Sequence, residues 1–583
     1  MATFYVSSHG DDGNPGNLNL PFLTLDRAYQ AAKCLTIPTS VYLFPGTYTR
    51  TETWNIGSSS EQEPMRNRIT FEARRSPSSD DVVISGARKI DSWFHGDSSD
   101  IWKANIGDLD FRQLYVNNVK VETARIQDLP GTWTRTPTGY SVNTIISWAS
   151  PSSIEFVYRG IYPWTEARCT VAELIHDGDS TIIHMAQPTW DRALKLYNFC
   201  WGGTQQHGPS TPTHIENSTS FLQEPGTFVC DRTCPGQHIL YYKPRPGETL
   251  ATTRITAPSL EQLVNITGTA NVTFRGITFA DAAWLRPKDG FLHYHGDSHY
   301  VGEGSVNKFA LGEGSWVMVP SKTDRIPASI SMKSTAYTSF ENCNFTRLGG
   351  TALSSDCCKR LQVLHCGFES LSASGITLNG TTNAVVEDTT IQKVGLDYLG
   401  SPAIWMHNTS HCRVSHNNIF DTPHSGISLG PSIGSRITNN MVCRTMSRLA
   451  DGGGINLAGC QGESMETGAS LSGNVVLDTL TPYNFAIYAD YGAKWVTIKE
   501  NVVMRCDEVV VFNVQPPLEH VVFENNFWDK EPTGTDSIPE KVIYRANVVI
   551  SDEGEIQRNV QRVITAAGVR AGTLVNPPAT HST

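Results

Sequence analysis

Two aspartates carry the chemistry that this sequence offers most plainly. Asp451 stands in LADGGG and Asp490 in AIYADYG, each beside a short stretch of alternating apolar and polar residues. Two carboxylates on one sugar-sized cleft can divide the work of glycoside cleavage. One, kept protonated by its surroundings, donates to the leaving oxygen; the other attacks the sugar or activates water. His424, Asn456 and Tyr488 fall at the same end of the repeats as substrate contacts. Trp405 and His407 add an aromatic wall, and Glu463, in the loop after Gly459, is placed to swing over as a third acid. His293, His295 and His299, with Asp297, invite a metal assignment, but they lack the histidine–carboxylate pattern of a known site. No cysteine pair at CxxC spacing is matched by a second pair, so neither a metal nor a cofactor is expected.

What must position these residues is a repeat. From about Thr335, segments of roughly 22–34 residues superimpose, within the period range of repeat architectures. Their alternating stretches begin at Gly350, Gly375, Ala403, Gly426, Gly454, Ala486 and Val509. Alternation with period two is the strand signature. Side chains then sort into columns. The inward positions are Thr351/Leu353, Ile376/Leu378, Ile404/Met406, Ile427/Leu429, Ile455/Leu457, Ile487/Ala489 and Val510/Phe512. One outward column runs Ala352, Thr377, Trp405, Ser428, Asn456, Tyr488, Val511. The next runs Ser354, Asn379, His407, Gly430, Ala458, Asp490, Asn513, with Asp490 its one acid. Both are expected to form a continuous exposed face. Asn418, Asn440, Asn474, Asn501 and Asn526 recur as an asparagine ladder would.

Constant short strands separated by turns of variable length predict an all-β chain, a right-handed parallel β-helix of the pectate-lyase-like solenoid type. A single coil cannot bury its apolar side, and stacked coils complete the core. A propeller needs a longer period, and a sandwich needs tight hairpin turns that are scarce here. Thr24–Ala32 reads as a short helix capped by Thr24, able to cover the open end of the solenoid. The expected organisation is a cap with first coils over 1–132, an inserted β-rich subdomain over 133–257, and the main β-helix over 258–583. Ile69–Gly86 is expected to form coil strands. Asp281–Pro327 reads as a loop; with Trp133–Ala257 it is expected to wall off one end of a groove, favouring cleavage near a chain end.

The 583 residues carry a net charge of −11, against a nucleic-acid or anionic-membrane partner. No unbroken apolar run has the length of a membrane span. MATFYVSSHG lacks the charged and apolar regions of a signal peptide. Sequons at Asn217, Asn265, Asn271, Asn344, Asn379 and Asn408 fit a secreted glycoprotein, and secretion is the expectation. With 13 cysteines at least one thiol is unpaired or pairs between chains. Cys343 and Cys366 occupy one place in successive coils, where either a disulfide or a thiol stack fits.

YVSSHGDDGNPGNLNLPFLTLDRA, from Tyr5, resembles the N-terminal signature of many carbohydrate-active β-helix proteins, and FRQLYVNNVKVETAR, from Phe111, their next shared segment. DGGGIN (Asp451–Asn456) followed by AIYADYG (Ala486–Gly492) is similar to the paired motifs of β-helix glycosidases, especially glycoside hydrolase family 141. That resemblance implies hydrolysis of a glycan with Asp451 and Asp490 as the catalytic residues. The chain departs from the family at Asn456, where tyrosine is usual, and at Tyr491, where an acidic or small residue is common. The expected substrate is a neutral or weakly acidic oligo- or polysaccharide. The competing readings are a polysaccharide lyase on the same fold, which would use Lys or Arg as base, and a non-catalytic carbohydrate-binding β-helix.

Overall fold

The computed structural model describes residues 1–57, 67–74, 81–95, 100–312, 314–550 and 560–571. The chain divides into two compact units. The first comprises Met1–Gly86, Leu260–Ala282 and Pro327–Thr583; the second comprises Ala87–Ser259 and Ala283–Ile326.

The first unit is the expected right-handed parallel β-helix. Its strands stack in parallel ladders, one coil over the next. In one ladder Ile376 pairs with Ile404, Ile404 with Ile427, Ile427 with Ile455 and Ile455 with Ile487. All five are fully buried. The repeat varies from 21 to 34 residues per coil between equivalent asparagines. Loops absorb the difference because only the strands must keep register.

Two details of the expected register change. Leu353, not Thr351, pairs with Ile376, and Ser354 with Thr377. That coil is therefore shifted by two residues, which keeps its core face but moves Asp356 opposite Asn379 and Lys333 opposite Asp356. Asp490 is thus not the only acid of its column. The asparagine ladder starts at Asn417, not Asn418: Asn417, Asn440, Asn474, Asn501 and Asn526 are wholly buried.

The helix spans Leu25–Lys33 with Thr24 as N-cap, whose hydroxyl accepts from the Arg27 amide at 3.1 Å. Asp12 fixes that cap by accepting from both the amide and the hydroxyl of Thr24. Leu25, Ala28, Tyr29 and Ala32 face the apolar core at this end. Ile69–Ala73 and Val82–Ser85 form the expected coil strands, and 75–80 lie outside the described residues.

The second unit is β-rich and largely antiparallel. Glu155–Arg159 pairs with Glu166–Asp177, and His238–Lys243 with Thr227–Asp231. It begins at Ala87 rather than 133. It also includes most of the segment read as a loop: Phe291–His295, Val306–Gly312 and Ser315–Pro320 are strands. Sequence spacing alone could not reveal this, because the strands of this segment join the unit through distant partners, Leu292 pairing with Ala167 and Trp316 with Cys200. Asn217 is buried, with its side chain bonded to Ser153 and Cys230, so this sequon is closed to a glycan in the folded protein. All 13 cysteines are thiols, Cys343 and Cys366 included. Among the described residues, no helix is long and apolar enough to cross a membrane.

Candidate active site

Asp451 and Asp490 come from consecutive coils. The strand Gly453–Cys460 pairs in parallel with Phe485–Lys499, matching Asn456 with Tyr488 and Ala458 with Asp490. Immediately after that pair the register slips: Cys460 pairs with Lys494. Tyr491 and Gly492, with φ of 42° and 64°, form the bulge that takes up the extra residues. A bulge ends the regular ladder and re-aims the side chain beside it, here Asp490.

Asp451 sits in the turn that enters the preceding strand, at φ 53°, a left-handed geometry that aspartate tolerates. Its amide donates to the Tyr483 carbonyl at 2.8 Å, and the Phe485 amide donates to the Gly452 carbonyl at 2.9 Å, so the two coils are laced together at this end. The glycines that follow are required by close packing. A Cβ on Gly452 would lie 2.7 Å from His424 Nε2, and one on Gly454 would lie 2.4 Å from Val476 Cγ1.

Tyr488 links the pair. Its hydroxyl donates to Asp451 Oδ1 at 2.9 Å and also neighbours the Asp490 carboxylate. A phenol has one proton to donate, so it serves one carboxylate at a time. Burial, and next the charge of Asp490, push Asp451 up to about 7, against the pull of the Tyr488 hydrogen bond. Burial also raises Asp490, opposed by hydrogen bonds from the Tyr491 amide and Tyr488. Two carboxylates sharing one site do not ionise together, so the first proton leaves one and the second is held. The tyrosines feel the same field: the charge of Asp451, then burial and the charge of Asp490, raise Tyr483 to about 12.

The other candidate residues fall into three groups. His424 is buried against the Asp451 turn, with Nε2 3.3 Å from the Ala450 carbonyl oxygen. Asn456 adjoins Tyr488 in the ladder. Trp405 lies further along the same column, beyond Ser428, and its ring stacks on His407 at 5.5 Å. His407 in turn covers Gly430, where a Cβ would lie 2.6 Å from its ring. Glu463 is exposed on a turn whose amide is held by Thr467, and among the described residues no contact joins it to either aspartate.

The face is also less open than expected. Thr377, Trp405, Ser428, Asn456 and Tyr488 are all buried rather than exposed. Neighbours above and below in the column, and rings such as Phe485 4.4 Å from Tyr488, cover them. Tyr483 and Phe485 are additions that sequence reasoning passed over, although the aromatic spacing in TPYNFAIYAD marks them. Among the described residues no group of three or more His, Cys, Asp or Glu side chains could hold a metal ion.

Residues 262–474 match the family described as "Right handed beta helix region". No curated protein matches the sequence. Among solved structures, one titled "Glycoside hydrolase" is similar over 98% of this chain and 100% of its own, with 18% identity and a TM-score of 0.75. The complex of XylC with xylose is similar over 93% of this chain and 70% of its own, at 12% identity and a TM-score of 0.48. A lacto-N-biosidase from Eubacterium ramulus covers 94% of this chain and 67% of its own, at 9% identity and a TM-score of 0.35. At such identities the likeness is one of fold.

Proposed function

We propose that this protein is a glycoside hydrolase of the family 141 type, cleaving a neutral or weakly acidic glycan with Asp451 and Asp490. The observation that carries this reading is the carboxylate pair itself: two partly buried acids from adjacent coils, with their affinities for a proton raised and Tyr488 between them. Asp451, raised to about 7, keeps its proton near neutrality and is the general acid. Asp490, which the Tyr491 amide helps to hold ionised, is the nucleophile or the base that activates water. His424, Asn456 and Tyr483 border the pair, and Trp405 with His407 continues the wall along the column.

The structure titled "Glycoside hydrolase", which shares the fold over both whole chains, supports the reading. So does the placement of cations. Lys494, on the strand that carries Asp490, is paired with Glu519 at 2.7 Å and is not poised as the base of a β-elimination. The test is a panel of aryl glycosides and neutral polysaccharides. Release of reducing ends without unsaturated, ultraviolet-absorbing sugars is expected, and Asp490→Asn should abolish it. Unsaturated products would establish a lyase instead. Preferred action on a long polyuronate would overturn the substrate class.

A further inference from the structure

The second unit holds a cavity of about 440 Å³ that the proposed hydrolysis does not use. Its size falls within the ~300–1,000 Å³ of small-molecule sites. One wall is a hairpin in which Asn198–Trp201 pairs with Thr204–His207, matching Phe199 with Gln206 and Trp201 with Thr204. The connecting Gly202 and Gly203 have φ of 52° and 84°, the left-handed pair that a tight hairpin turn demands. Directly paired residues share a face, and so do residues two apart. One face of the hairpin therefore presents Phe199, Trp201, Thr204 and Gln206 together, and all four line the cavity.

Across the cavity Tyr158 lies in the strand Glu155–Arg159, its side chain buried and its hydroxyl bonded to that of Tyr140 at 2.9 Å. Ser210 and Thr211 complete a polar rim, and Arg159 is the one charged residue in the lining. Trp201 is 36% exposed, an apolar ring left at a concave, polar-rimmed surface. Among the described residues, the exposed side chains of Thr204, Gln206 and Thr211 make no hydrogen bond to protein.

We infer that this cavity is a second, non-catalytic saccharide site, taking neutral pyranose chains whose hydroxyls are equatorial. Such rings carry their hydroxyls at the edge and apolar C–H groups on the faces. A face stacks on Trp201 while the edge meets Gln206, Thr204 and Thr211. The lining holds no carboxylate and so no cation site, and a single guanidinium is too little for a polyanion. The site stands whether or not Asp451 and Asp490 are catalytic. Its role is to hold a polymer to the protein by a second attachment, which raises the effective concentration of chain.

Isothermal titration of Asp490→Asn with cellopentaose and with xylohexaose tests it, the substitution preventing turnover. At least one of the two should bind at the cavity. Adding Trp201→Ala should remove one binding equivalent or weaken it at least tenfold, and Gln206→Ala should weaken it less. On the wild-type background Trp201→Ala should leave turnover of a small aryl glycoside unchanged. Unaltered stoichiometry and affinity in both substituted proteins would overturn the site, as would binding of neither oligosaccharide. A Trp201-dependent equivalent for tetragalacturonate alone would overturn the neutral class. Failure of the aryl glycoside assay in wild type would count against the hydrolase reading and leave this binding result standing.

Discussion

The β-helix buries polar side chains in two regions with opposite outcomes. In the asparagine ladder every amide is satisfied. Asn474 Nδ2 donates to the Ile437 carbonyl at 2.8 Å and to Asn501 Oδ1 at 3.0 Å, while its own Oδ1 accepts from the amide and side chain of Asn440. Asn440, Asn501 and Asn526 repeat the arrangement. At the aspartate end, two acids have one phenol proton beside them, burial raises both, and the charge of Asp490 raises Asp451 further. The asparagines repeat at one place in each coil, whereas the aspartates meet from different places, Asp451 in the turn before its strand and Asp490 opposite Ala458. Complementary donors and acceptors give a structural spine, since buried hydrogen bonds cost little once made. Groups of like charge give a store of unfavourable energy that a substrate can relieve, which is where perturbed acids are found in enzymes.

The sharpest way to break this contrast is to remove the charges. Asp451→Asn and Asp490→Asn should each lose at least ~10³-fold in turnover while staying folded, and the double variant should be hardly worse, because the pair acts as a unit. Steady-state kinetics beside circular dichroism checks it. Either single variant keeping more than about a tenth of wild-type turnover would remove that residue from the mechanism.

In the ladder, the effect should fall on stability alone. Asn474→Ala takes a partner from the Asn440 backbone amide, from one Asn440 side-chain N–H and from the Ile437 carbonyl, all in the core. At ~1–3 kcal/mol for each buried unsatisfied group, it should cost about 3 kcal/mol in denaturant titration. Turnover per folded molecule should not change; a ladder variant that altered kcat would erase the division between the two regions.

Tyr488→Phe should shift a pH profile more than it lowers a rate. The hydroxyl favours ionised Asp451, so its loss should move the alkaline limb of kcat/KM, expected near the Asp451 value of about 7, upward, with turnover reduced about tenfold. An unmoved limb would show that the hydroxyl serves only to position the ring.

The last expected effect is on stability against pH. Asp451 binds its proton more tightly folded, at about 7, than unfolded, near ~4. Between those values the folded state holds more protons, so stability falls as pH rises through the window and levels off above it. Asp451→Asn should flatten that slope and gain on the wild type most above pH 7, as thermal melts across the range would report.

Much of this was legible in the sequence because it is local. Which face of a strand is apolar depends only on alternation, so Ile376, Ile404, Ile427, Ile455 and Ile487 announce a stacked core, and Thr24 announces its helix. Asp451 and Asp490 stand out as well, each at the edge of such a stretch. What lies between coils was not legible. A shift of two residues leaves alternation intact, so Thr351 and Leu353 look equally good partners for Ile376 until the backbone pairing chooses Leu353. Asn417 and Asn418 are adjacent letters, and only the turn geometry decides which amide points inward. The borders of the second unit depend on antiparallel partners far apart in sequence. The bulge at Tyr491 and Gly492, the burial of Trp405 and Asn456, and the raised protonation of Asp451 belong to the tertiary structure alone. Each depends on which groups meet across coils, and the energy of a charge is set by those neighbours and by the water they exclude.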